Sequence, residues 1–289
     1  MPAQPGPTVR RRQVGSALRR YRTEAGLSVQ EVAERLLCSP AKISRIETAQ
    51  RNPTLRDVRD LLDLYGVTDE QVRERLMSMA RESRERGWWQ ALNESQGLEI
   101  LIGMERAATQ IKEFEIVVMP GLLQTRDYAM ALLGELLPDE PERRQRAIDT
   151  RIKRQRILKE LPKPQITAIL DEAAVHRAVG GPAVLKGQLQ HLITMIDAGD
   201  LLFHVIPFGA GAHVGMLNGF TMLEFEGSAA ADAEPDISPV VYVENQTNTM
   251  YFDHPPEVAE YARAFTALRA RSLALGDSRA LLQSVQDQL

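Results

Sequence analysis

Within seven residues, Ser39, Ala41, Lys42, Ser44 and Arg45 gather two hydroxyls, an ammonium and a guanidinium around one apolar pair, Ile43 and Ile46. If this segment is helical and both isoleucines face inward, a step of ~100° per residue turns Ala41, Ser44 and Arg45 outward and leaves Lys42 on the flank. Groups of this kind hydrogen-bond to base edges and neutralise phosphates. They are useful only if a second helix and a tight turn hold them at a fixed angle, so that the face enters a major groove. That geometry asks for a small residue at the helix crossing, a hydrophobic wedge and a cap where the inserted helix begins. Ala33, the Ile43–Ile46 pair and Ser39 meet those three demands.

The elements that must position this face read as five short helices. Val14–Ala25 carries Val14, Leu18 and Tyr21 on one side and stops at Gly26. Val29–Leu37 comes after the N-cap Ser28 and turns Val29, Val32, Ala33 and Leu36 inward. Ser39-Pro40 opens the third helix, Ala41–Thr48, with proline where its missing N–H costs nothing. Thr54 caps a fourth helix closed by Gly66, and Asp69 opens a fifth that carries Val72, Leu76 and Met79 to about Arg86. Ahead of them, residues 1–13, with three prolines and the run Arg10-Arg11-Arg12, read as a flexible basic arm.

The helical domain is therefore placed at 14–80, with a junction at 81–89 holding Trp88-Trp89, which should anchor the fifth helix to the C-terminal domain. Over 90–289 the texture changes to a larger α+β domain. Strands are predicted at Ile111–Met119, Gln165–Leu170, Leu201–Ile206, Gly219–Phe225, Val240–Glu244 and Thr249–Phe252. Helices are predicted at Thr125–Leu137, Glu140–Leu161, Pro182–Ala198, from Pro255-Pro256 onward, and after a cap at Asp277 or Ser278. Residues 227–239 read as a surface loop. The expected fold class is mostly α, a five-helix DNA-binding type of domain joined to a larger α+β domain.

Charge supports the division. The 289 residues hold 35 Lys plus Arg and 39 Asp plus Glu, a net −4 that taken whole argues against a nucleic-acid binder. Residues 1–59, however, contain twelve basic and five acidic side chains, a surplus of seven that leaves −11 for the remainder. A basic head on an acidic body is an electrostatic footprint for phosphates. The excess of Arg over Lys, 29 to 6, reads as the codon bias of a GC-rich genome.

Other chemistries find little support. With Cys38 alone there is no internal disulfide and no cysteine cage for a metal. The five histidines 176, 191, 204, 213 and 254 show no i, i+4 pair, so no metal and no cofactor are expected. No Ser-His-Asp or Cys-His grouping is legible, and no enzyme is expected. Asp171-Glu172 reads as a pair of acids favouring the start of a helix. The glycine-rich PFGAGAHVGMLNG at 207–219 lacks the Lys-Ser/Thr of a phosphate loop and reads as a β-hairpin or mobile loop, a candidate lid over a small ligand. No window approaches the ~18 consecutive apolar residues of a membrane span, so no membrane partner and a cytoplasmic, nucleoid-associated location are expected.

LRRYRTEAGLSVQEVAERLLCSPAKISRIETAQRNPTLRDVRDLLDLYGV resembles the five-helix, lambda-repressor-like DNA-binding domain of the phage-repressor class, also called XRE, over residues 14 to about 66. VVMPGLLQTRDYAMALL at 117–133, DEAAVHRAVGG at 171–181 and QLQHLITM at 188–195 are similar to the C-terminal region of antitoxin-like regulators from high-GC bacteria. The resemblance implies base readers at Ala41, Lys42 and Arg45 with Ser44 between them, Arg45 being suited to a bidentate bond with guanine. It implies phosphate contacts from Ser39 and the amides that open the third helix, from Arg51 and Asn52 in the next loop, and from the Arg10, Arg11 and Arg12 arm. It further implies a structural salt bridge between Arg22 and Glu47.

Two departures from the family pattern matter. Val29 replaces the usual phosphate-binding Gln, with Gln30 one step along, and Ala49 stands where Gly commonly ends the third helix. A left-handed cap is therefore expected to give way to another turn there. Together these features predict a sequence-specific regulator that binds double-stranded DNA as a homodimer on an inverted repeat. The expected task of its C-terminal domain is to engage a small protein encoded nearby. Sensing a small-molecule effector is the alternative, and an enzyme with a DNA-binding head is the third and weakest.

Overall fold

The computed structural model describes residues 7–84, 96–225, 239–245 and 249–289; the Trp88-Trp89 step and all but Pro239 of the 227–239 loop lie outside the described residues. Two units are present. One comprises 7–84 and 96–107, the other 108–225, 239–245 and 249–289.

In the first unit, α1 (Pro7–Glu24), α2 (Val29–Arg35), α3 (Pro40–Glu47), α4 (Leu55–Leu64) and α5 (Glu70–Glu82) match the predicted series. Their local signals act as read. Ser28 accepts from the Glu31 amide while Glu31 reaches back to Ser28, and Thr54 with Asp57 repeats the motif. Ser39 caps α3, Asp69 caps α5, and Gly26 and Gly66 adopt φ of +68° and +73° after their helices. The apolar faces meet in one core of Val14, Leu18, Val32, Ala33, Ile43, Ile46, Val58, Leu61, Leu62, Leu76 and Met79.

The start of the chain departs from expectation. From Pro7 on, the supposed arm is the opening of α1, because Val9 continues the apolar face of Val14 and Leu18 inward and is 1% exposed. A sixth helix, α6 (Gln96–Glu105), joins this unit instead of the sheet and packs on α1, burying Leu101, Ile102 and Met104. Ala49 is a second correction. It takes φ +58°, so the left-handed cap of α3 persists without glycine.

Gly15 marks the tightest approach in this unit. A Cβ there would stand 2.6 Å from the Ile46 carbonyl oxygen and 2.8 Å from that of Glu47, so only glycine lets α1 lie against the end of α3.

The second unit is built on a six-stranded mixed sheet in the order β3-β2-β1-β4-β5-β6. Its strands are β1 (Gln110–Glu115), β2 (Gln165–Asp171), β3 (Leu201–Ile206), β4 (Phe220–Glu224), β5 (Val240–Glu244) and β6 (Thr249–Phe252). The first three are parallel and the others antiparallel. Helices α7 (Arg126–Leu136) and α8 (Pro141–Arg154) connect β1 to β2; α9 (Glu172–His176) and α10 (Pro182–Asp197) connect β2 to β3. Phe114, Ile169, Phe220, Met222, Val241 and Val243 pack from one sheet face against Val258, Phe265 and Leu268 of α11 (Pro255–Arg271).

Strand β1 ends at Glu115, short of its predicted limit at Met119, because Met119 turns out of the sheet. The Met119 amide donates to the Tyr128 hydroxyl and its carbonyl accepts from Gln124. The last helix, α12 (Leu275–Asp287), starts earlier than predicted. Ser278 does not cap it, since its buried Oγ accepts from the Val205 amide on β3.

Gly15→Ala should lower the stability of the helical unit by about 1–3 kcal/mol through overpacking, read as a fall in urea midpoint; an unchanged midpoint would contradict the close approach. Leu37, 95% exposed at φ +50°, is strained without burying anything. Leu37→Gly should therefore raise stability by roughly 1 kcal/mol in the same measurement.

Candidate nucleic-acid interface

The candidate face is defined by what holds α3 still. Arg22, near the end of α1, donates from Nε to Glu47 Oε1 at 2.7 Å and from Nη2 to Oε2 at 3.0 Å, while its Nη1 donates to the Leu27 carbonyl at 2.8 Å. The Glu47 side chain is only 4% exposed. The bond to Glu47 raises the guanidinium pKa against the opposing effect of burial. Three bonds from one planar cation thus tie together the end of α1, the turn into α2 and the end of α3.

With Ile43, Ile46 and Glu47 buried, Ala41, Ser44 and Arg45 stand exposed. Arg45 Nε donates to the Ala41 carbonyl at 3.0 Å, which lays the side chain along the helix and leaves both terminal nitrogens outside that bond. Thr48 is exposed on the same side, although it is not among the predicted readers. Its place one turn after Ser44, at i+7 from Ala41, is the sequence signal that would have found it. At the other end Ser39 is exposed; its Oγ accepts from the Lys42 amide at 3.2 Å, so its own O–H points elsewhere as a donor.

Several expected DNA contacts are otherwise engaged. Lys42 Nζ donates to Asp57 Oδ1 at 2.5 Å, tying α3 to α4. Burial alone would raise the Asp57 carboxyl, but Lys42 together with the Thr54 amide and hydroxyl outweighs it and holds the pKa below its ordinary value. Asn52 donates from Nδ2 to the Ser83 carbonyl at 3.1 Å and accepts from the Ser83 hydroxyl at 3.2 Å, fastening its loop to the end of α5. Gln30 is exposed and donates to Glu34 at 3.0 Å; Arg51 is exposed.

Arg10, Arg11 and Arg12 do not form a phosphate-seeking arm, because they are helical and packed. Arg10 Nε pairs with Glu82 at 2.8 Å, and Arg12 is 7% exposed. Burial, then the neighbouring Arg12, lowers the pKa of Arg11.

A family model described as a helix-turn-helix domain matches residues 13–76. A second, described as a domain of unknown function (DUF5753), matches residues 98–284, well over half of the chain. The chain belongs to the DUF5753 family. No curated protein and no solved structure matches it significantly. The helix-turn-helix match supports a DNA-binding regulator, and no described helix is long and apolar enough to cross a membrane.

Within the DUF5753 region, the 207–219 segment forms no hairpin. Glu172 accepts from the Phe208 amide at 2.6 Å, and Arg271 donates to the Ala210 and Ala212 carbonyls at 3.4 and 2.5 Å. His213 Nε2 meets Asp171 Oδ2 at 3.1 Å, so Asp171 and Glu172, read from sequence as mere helix-start acids, also fasten this segment. Phe208, Val214, Met216 and Leu217 nevertheless project from it, each at least 60% exposed.

The tie between α3 and α4 has a pH signature. Because the folded Asp57 carboxyl lies below its ordinary pKa of 3.8, its contribution is complete above that value and is lost as pH falls through the folded one. Asp57→Asn should cost about 1–3 kcal/mol at pH 7 and progressively less at acid pH, by urea denaturation. A deficit that stayed constant down to pH 3 would contradict the assignment.

Proposed function

We propose that this protein is a sequence-specific transcriptional regulator that reads DNA through the exposed face of α3. The observation that carries the reading is the short polar and basic surface of Ala41, Ser44, Arg45 and Thr48, set on a helix whose opposite side is locked by Arg22–Glu47. Arg45 offers two terminal nitrogens for the O6 and N7 of guanine. Ser39 and Arg51 are placed to meet phosphate, with the positive end of the α3 dipole beside Ser39. Lys42 serves as a support for α3, and Gln30 contributes a peripheral contact.

A single domain with so few phosphate contacts binds weakly at physiological salt, so a homodimer on an inverted repeat, with half-sites roughly 34 Å apart or a multiple of that, is part of the proposal. The proposed task of the acidic C-terminal unit is to engage a small partner protein encoded nearby, in the manner of antitoxin-like regulators. The exposed apolar side chains of Phe208, Val214, Met216 and Leu217 on a fastened segment support protein docking there. The chain is read as a cytoplasmic binder, not as an enzyme.

Electrophoretic retardation of the promoter of its own gene, across low and moderate salt, tests the proposal. Arg45→Ala should cost ~1–3 kcal/mol and relax specificity at one base position. Arg51→Ala should weaken all sequences alike and flatten the salt dependence. Absence of retardation by the wild-type protein at every salt concentration would overturn the reading.

A further inference from the structure

The sheet of the second unit reverses its winding beside β1. From β1 the chain moves outward through α7 and α8 to β2, then through α9 and α10 to β3; β4, β5 and β6 lie on the other side of β1. Because β4 runs antiparallel to β1 and to β5, its amino end and the carboxyl ends of β1 and β5 meet at one rim of the sheet. Glu115, the last residue of β1, stands at that point.

The groups around Glu115 converge from four segments. Phe114 pairs with Phe220, which brings Gly219 opposite Glu115. A Cβ on Gly219 would lie 2.7 Å from Glu115 Oε2, so the glycine leaves the carboxylate its room. Strand alternation puts Tyr242 and Glu244 of β5 on the same sheet face as Glu115, opposite the face that packs on α11. From α8, Arg151 donates to Gln124 Oε1 at 2.6 Å, and Arg154 lies one turn further along the same helix. A Cβ on Gly121 would come within 3.8 Å of both guanidiniums, so the turn before α7 closes over the pair.

These side chains share one electrostatic field. Burial first, and then the Glu244 charge, push the Glu115 carboxyl up to about 7 against the pull of Arg151. Burial, then Arg154, brings Arg151 down to about 10, opposed by Glu244, Tyr242 and Glu115. Tyr128 also lies within reach of Glu115 and Arg151.

Glu115 makes no ion pair and no side-chain hydrogen bond among the described residues, and the exposed Glu244 lies against the Tyr242 hydroxyl. Tyr242 is 5% exposed, and its buried hydroxyl makes no hydrogen bond of ordinary geometry, although the Glu244 carboxylate lies beside it. A tyrosine hydroxyl buried for stability alone normally has a well-formed partner. Convergent polar groups with bonding capacity to spare are the usual furniture of a small-molecule site.

We infer that the carboxyl end of β1 binds a small zwitterion of the α-amino-acid class, its ammonium held by Glu115 and Glu244 and its carboxylate by Arg151 and the Tyr242 hydroxyl. The complementarity is direct: two carboxylates for one cation, and a guanidinium with a phenol for one anion. This site belongs to the sheet unit and meets the 207–219 segment, expected to act as a lid, at Gly219. It goes beyond the DNA-binding reading and stands or falls without it.

The full chain, free of DNA, would be screened by thermal shift against each of the twenty proteinogenic amino acids, and hits titrated by calorimetry. At least one should stabilise the wild type and bind in a 1:1 ratio. Glu115→Gln and, separately, the exposed Glu244→Gln should each weaken that binding by about tenfold or more. Affinity should also fall between pH 8 and pH 6 as the Glu115 carboxyl takes up its proton near 7. Should Glu115→Gln fail to fold by circular dichroism, Glu244→Gln and the pH series carry the test. No binding by any amino acid, wild-type affinity in Glu244→Gln, or an affinity that does not fall toward pH 6 would overturn the inference.

Discussion

Helix α3, eight residues long, cannot hold its own angle, and the ion pair between Arg22 and Glu47 does most to fix it. Arg22 and Glu47 meet bidentately with the carboxylate almost wholly covered, and the third arm of the guanidinium ends on the Leu27 carbonyl. An ammonium would offer no fork of matching shape, which is why the cation here is an arginine. Burying such a pair contributes little net stability compared with apolar packing, and its value lies in specifying one arrangement. Gly15 completes the constraint by letting α1 approach the backbone of Ile46 and Glu47.

That constraint sorts the charged residues of the helical unit into two sets. Those on the inner rim serve the fold: Arg10 with Glu82, Lys42 with Asp57, and Arg73 with Asp63. Those on the outer face of α3 and in the loop after it, Arg45 and Arg51, form no ion pair among the described residues. Positive charge in the first 59 residues is thus real as a composition but unequal as a resource, since much of it is neutralised internally. A phosphate can compete only for the cations left over.

The sheet unit obeys a different logic. Its parallel half, β1, β2 and β3, gathers the ends of its strands beside Glu115 and Asp171, while the antiparallel half brings Gly219 and Glu244 to the same edge. Asp171 and Glu172 hold the 207–219 segment in place, whereas among the described residues Glu115 makes no such bond and Glu244 lies against the Tyr242 hydroxyl. Neighbouring carboxylates at one sheet edge therefore have separate tasks, set by which face of the strand each occupies.

Much of this was legible from the chain. Helix caps at Ser28, Ser39, Thr54 and Asp69 are local hydrogen-bonding chemistry, the 3.6-residue spacing of Val14, Leu18, Ile43 and Ile46 is local geometry, and strands such as Leu201–Ile206 announce themselves by β-branched and aromatic runs. The outward turn of Ser44 and Arg45 comes from the same periodicity. What sequence misjudged were partnerships. Whether Lys42 is tied to Asp57, whether Arg10–Arg12 form an arm or the first turns of a helix, and whether Ser278 caps α12 or serves β3 each depend on a residue far along the chain. Even Ala49, read as too bulky for a left-handed cap, keeps that conformation because the packing around α3 outweighs a cost of about 1 kcal/mol. Periodicity and capping are written within a few residues of each other, so the sequence alone determined the helices and their inner faces; the commitment of each charged side chain was decided only when the tertiary fold set its neighbours.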